Sequence, residues 1–104
     1  MSIRFDPCNL RSRKFQTILS EPLGDKLVSN LPGIGRQTQE NLQKTERIIK
    51  AKDLLEKFMF EFQSNDEEFR LWLMNNYGLH EYRATECCLA LMDYIEQAKK
   101  NQWF

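Results

Sequence analysis

Leu31-Pro32-Gly33-Ile34-Gly35, followed by Arg36-Gln37-Thr38-Gln39-Glu40-Asn41-Leu42, is the stretch that decides how this chain is read. An apolar residue, Gly-apolar-Gly, and then a helix with an apolar residue seven positions past the second glycine form the pattern of a helix-hairpin-helix motif. Two glycines let the backbone turn tightly without a Cβ, so successive N–H groups converge on one point. Ile34 plugs the hairpin into the core. The next helix starts at about Gly35–Arg36, and its unpaired N–H groups and positive dipole end face outward. Such a site holds a phosphate oxygen and reads backbone rather than base. The alternative is a plain turn, because a Pro-Gly pair between two helices often does nothing more.

Outward from the hairpin, apolar spacing predicts helices on both sides. A first helix begins at Ser12, as N-cap, and places Phe15, Ile18 and Leu19 on one face before Glu21-Pro22 ends it. Leu27, Val28 and Leu31 fit one short helical turn. Leu42 faces inward from Arg36–Lys44. Ile48, Ala51, Leu54, Leu55, Phe58, Met59 and Phe62 recur at i, i+3/i+4 and predict an amphipathic helix over 48–62. Ser64-Asn65-Asp66-Glu67 matches a capping box for a helix that buries Phe69, Trp72, Leu73 and Tyr77 and stops at Gly78. The last helix, about 80–100, carries Ala84, Cys88, Leu91 and Ile95 on one stripe. Strand signals are absent, so the fold class is all-α, with four or five helices.

The chain has 104 residues, which predicts one domain, and 15 Lys plus Arg against 15 Asp plus Glu. Zero net charge argues against a polycationic tail binder but permits a local basic patch. Arg4, Arg11, Arg13 and Lys14 lie near the start, and Lys26, Arg36, Lys44, Arg47, Lys50 and Lys52 flank the hairpin. Acids gather later, at Glu61, Asp66, Glu67, Glu68, Glu81 and Glu86. That distribution suits a charge dipole, with ordinary solvated faces as the alternative. No apolar run approaches the roughly 18–20 residues of a spanning helix, and the N-terminus shows no secretory h-region. Cys8, Cys87 and Cys88 read as reduced thiols of a cytosolic or nuclear protein. With His80 as the lone imidazole and no clustered carboxylates, neither a catalytic site, a metal site nor a cofactor is expected.

A family resemblance extends this reading. Ser12-Arg13-Lys14, Ser20-Glu21-Pro22-Leu23-Gly24-Asp25-Lys26, Val28, Leu31, Gly33-Ile34-Gly35 and Asp66-Glu67-Glu68-Phe69-Arg70-Leu71-Trp72-Leu73 resemble, in order and spacing, the barrier-to-autointegration factor family. The likeness runs from about Ser12 to Lys99, leaving an arm at 1–11 and an extension at 100–104. It implies a compact, SAM-like five-helix domain that dimerises and binds double-stranded DNA without sequence preference. A dimer would bridge two duplexes. It also implies LEM-domain proteins and lamins as partners, and a nuclear location, with the cytoplasm as a second compartment, without membrane insertion. Carried over residue by residue, the DNA contacts fall on Ser12, Arg13, Lys14, Gly33, Ile34, Gly35, Arg36, Gln37, Thr38 and Asn41. The dimer or partner interface falls on Leu54, Leu55, Glu56, Phe58 and Met59, and Ser12 matches a phosphorylation position. A phosphate there sets negative charge against DNA.

The chain departs from the family pattern at Asn41, where Lys is common, at Gln63-Ser64, which replaces a Lys pair, and at Glu56, which replaces a small residue. Fewer cations imply weaker DNA binding. Glu56 motivates a second reading: a protein-interaction regulator that forms a heterodimer with a conventional family member and contributes little DNA affinity.

Overall fold

The computed structural model describes residues 13–103, so Cys8, Ser12 and the arm at 1–11 lie outside the described residues. Among the described residues five helices follow one another: α1 (Arg13–Ser20), α2 (Arg36–Glu46), α3 (Ala51–Glu56), α4 (Asp66–Tyr77) and α5 (Glu81–Asn101). A 3-10 turn at Val28–Asn30 precedes the hairpin, and α3 widens into a π-turn at Lys57–Glu61. No strand occurs among the described residues. α5 is the spine, packed against α4 and α1, while α3 and α2 close over the 3-10 turn.

The predicted apolar stripes supply the core. Phe15 and Ile18 of α1, Leu42 of α2, Leu54 of α3, Phe69 and Leu73 of α4 and Ala84, Cys88 and Leu91 of α5 are all buried. Phe58 and Phe69 meet edge-on with ring centroids 4.9 Å apart, and Phe62 adds a second edge-on contact to Phe69 at 5.5 Å. Such pairs contribute on the order of 0.5–1.5 kcal/mol beyond the area they bury. Trp72 and Tyr77 are only half-buried, and Leu27 and Met92 are exposed.

Two boundaries differ from the sequence expectation. The helix predicted from Ile48 begins at Ala51, because residues 48–50 are drawn into an antiparallel bridge between Leu27 and Lys50. Val28 N–H donates to Ile49 O at 2.9 Å and Ala51 N–H to Lys26 O at 2.8 Å. Asp53 then caps α3, accepting from Lys50 N–H at 3.0 Å. The cap of α4 is Asn65 rather than Ser64: Asn65 Oδ1 accepts from Glu68 N–H at 3.0 Å, and its amide donates to Glu68 Oε2 at 3.1 Å. Gln63 and Ser64 both adopt positive φ to leave the π-turn, which takes Ser64 out of cap position.

At the far end α5 runs to Asn101, and Trp103 folds back, its ring 5.6 Å from that of Tyr94. The Tyr94 hydroxyl accepts from Leu23 N–H at 3.0 Å, tying the loop after α1 to α5.

Candidate nucleic-acid interface

The hairpin is built as a stack of turns. Leu31 N–H donates to Val28 O at 3.0 Å and Ile34 N–H to Leu31 O at 3.2 Å, while Val28, Leu31 and Ile34 anchor the loop in the core. The two glycines have different roles. Gly33 has φ +83°, and a Cβ there would collide with the carbonyl oxygen of Arg83. Gly35 has φ −96°, open to any residue, and nothing lies within 4 Å of the place its Cβ would take. The expectation that both glycines make the turn is therefore corrected: Gly33 makes it, and Gly35 leaves open space in front of α2.

Gly35 is the N-cap of α2 and gives no side-chain cap. The first bond of the helix is Gln39 N–H to Gly35 O at 2.9 Å, so the N–H groups of Arg36, Gln37 and Thr38 lack intrahelical acceptors. They open onto a concavity of about 370 Å³ lined by Gly33, Gly35, Arg36, Gln37 and Thr38 on one side. Its other side is the α4–α5 junction, with Tyr77, Gly78, Leu79, His80 and Arg83.

That second wall repeats the first. Gly33 (positive φ), buried Ile34, extended Gly35 and the start of α2 are matched by Gly78 (φ +67°), buried Leu79, extended His80 and the start of α5. His80, like Gly35, provides no side-chain cap. Two helix N-termini thus border one hollow, with the Arg36 and Arg83 side chains beside them. Glu81, in the first turn of α5, is the opposing charge. The sequence reading missed this wall. The signal was present as Gly-apolar-cap-helix at both places, but only the first carried a second glycine.

The remaining expected contacts are distributed as follows. Arg13 is exposed at the start of α1, and Asn41 lies one turn along α2, within 3.5 Å of the Gln37 amide. Ile34 plugs the core as its spacing predicts: its side chain is buried and its N–H and C=O are both engaged internally. Lys14 donates to Ser29 O at 2.7 Å and Ile34 O at 3.1 Å. Two cations near the hairpin are ion-paired: Lys26 with Glu21 and Lys50 with Asp25, both at 3.0 Å. The Lys50 ammonium holds the Asp25 carboxyl below its ordinary value.

On the α3 face, Leu54 and Phe58 are fully buried within the chain itself and Leu55 nearly so. Glu56 is exposed, Met59 half-buried, and Phe60, which the reading passed over, is 72% exposed. A second concavity, of about 510 Å³, lies beside them and includes Leu55, Tyr94 and Trp103 in its lining.

A sequence model of the family described as barrier to autointegration factor matches residues 9–98. The chain belongs to the barrier-to-autointegration factor family. That family is non-enzymatic, DNA-binding and chromatin-associated, and its members dimerise. Among the described residues no helix is long and apolar enough to cross a membrane.

Proposed function

We propose that this protein binds double-stranded DNA without sequence preference, as a dimer whose two hairpins bridge separate duplex segments in the nucleus. The observation that carries the proposal is the convergence of two uncapped helix N-termini, at Gly35 and His80, on one hollow beside Arg36 and Arg83. Backbone N–H groups and a positive dipole end complement a phosphate oxygen, and the arginines add charge-assisted donors. Arg13, Gln37, Thr38 and Asn41 extend the surface along α1 and α2. Ser12, outside the described residues, is the proposed phosphorylation position, where added charge opposes DNA. LEM-domain proteins and lamins are the proposed protein partners, docking at the α3 face around Glu56 and Met59.

Gly35→Glu tests the hairpin. The open space and negative φ at Gly35 let the fold accept the substitution, while the carboxylate occupies the phosphate position. The expected result is a folded variant that has lost duplex affinity. Unchanged affinity contradicts the assignment.

A second reading is favoured by exposed Glu56 and by Glu81 in the first turn of α5. It makes the chain a regulator that pairs with a conventional family member through a basic partner residue opposite Glu56. Failure to copurify with such a paralogue counts against it.

A further inference from the structure

Lys14 stands behind the hairpin rather than in front of it. Its ammonium donates to two loop carbonyls, Ser29 O at 2.7 Å and Ile34 O at 3.1 Å. The Ile34–Gly35 peptide is trans, so its N–H is antiparallel to its C=O. With the carbonyl turned toward Lys14, the Gly35 N–H is turned the opposite way, and it has no partner among the described residues.

We infer that Lys14 is a positioning residue: it fixes the Ile34–Gly35 peptide plane so that the Gly35 N–H faces the phosphate, and it does not itself neutralise that phosphate. This rests on the DNA-binding reading above and changes the role of one residue within it. A phosphate oxygen on the Gly35 N–H lies across the peptide from the ammonium, so Lys14 reaches it only by releasing both carbonyls. The ammonium also polarises the Ile34 carbonyl, which strengthens the N–H of the same amide as a donor. Holding Ser29 as well as Ile34 ties the 3-10 turn to the start of α2, so one side chain from α1 spans the whole hairpin.

The decisive measurement is by NMR on the full chain: scalar couplings across the hydrogen bonds from Lys14 Nζ to the Ser29 and Ile34 carbonyl carbons, before and after adding a short random-sequence duplex. The couplings are expected in the free protein and are expected to persist with DNA. Their absence from the free protein, or their loss on adding DNA, overturns the inference. Lys14→Met supplies a second readout. The Gly35 amide signal should shift without DNA, and duplex affinity should fall at least tenfold, on the order of one lost charge-assisted interaction. The slope of log affinity against log salt should stay as in the parent chain. A slope smaller by roughly 0.9, with the Gly35 amide unmoved, identifies a direct phosphate contact and overturns the proposal. Lys14→Arg should restore affinity, and Lys57→Met, a destabilising control away from the hairpin, should leave the Gly35 amide and DNA affinity unchanged. If the parent chain binds no duplex, the DNA reading falls, and the free-protein couplings alone decide whether Lys14 orients the loop.

Discussion

Gly33 lies directly against the backbone carbonyl of Arg83, so the hairpin and the first turns of α5 are held together at a contact with no room for a Cβ. The two walls of the hollow are therefore set by one close approach of backbone to backbone. Shape at this interface depends on the fold of the whole domain rather than on the loop alone.

Gly33→Ala is expected to destabilise the protein by on the order of 2–4 kcal/mol, combining strain at positive φ with the displaced carbonyl. Gly35→Ala meets neither obstacle, and as a weaker N-cap should cost about 1 kcal/mol or less. Urea denaturation of the two variants side by side checks this. Equal losses contradict the division of labour between the glycines.

Lys57 is the second clasp of the fold. Its ammonium donates to Glu46 and Glu61, each at 2.7 Å, and lies 5.0 Å from the centre of the Trp72 ring, with the side chain 11% exposed. These contacts join the end of α2, the π-turn and α4. Lys57→Met keeps the stem and removes the charge, and should lower stability by about 1–3 kcal/mol. Double-mutant cycles with Glu46→Gln and Glu61→Gln should show coupling larger for Glu46, the less exposed partner.

Cys87 and Cys88 predict how stability changes in alkali. Burial pushes both thiols up, Cys88 to about 12 and Cys87 further still, from an ordinary value of 9.0. Above pH 9 the unfolded chain releases thiol protons that the folded chain retains. The stabilisation is thus complete below 9.0 and is lost as pH rises toward the folded values, by up to ~1.4 kcal/mol per pH unit for each thiol. The raised value of Lys57, sustained by Glu46 and Glu61 against its desolvation, acts in the same direction above 10.5. Replacing both cysteines by Ala should flatten the stability profile between pH 9 and 10.5, a range set by these values. An unchanged slope contradicts this.

Arg36 and Arg83 come from opposite walls and should each neutralise one phosphate. Replacing either by Gln is expected to reduce the salt slope of duplex binding by roughly 0.9, uniformly across DNA sequences. Sequence-dependent losses would point to base contacts instead.

Much of this was legible in the chain. The Leu31–Gly35 pattern located the hairpin and the helix after it, in which Leu42 is the one buried residue, and apolar spacing located α1, α4 and α5. What escaped depended on contacts distant in sequence. Residues 48–50 keep helical spacing yet pair with Leu27, so α3 starts late. The edge-on contact that buries Phe58 against Phe69 of α4 is likewise visible only in the fold. The wall at Gly78–His80 read as a helix stop because nothing local shows that it faces Gly33. Only the fold brings Ser29 O and Ile34 O to the Lys14 ammonium.

The central claim, sequence-independent binding to duplex DNA through the hairpin hollow, is tested most directly by titrating a random-sequence duplex at several salt concentrations while recording mass in solution. The account predicts a dimer whose affinity is the same for unrelated sequences and falls linearly in log salt. A dimer that ignores DNA, or a monomer, would contradict it.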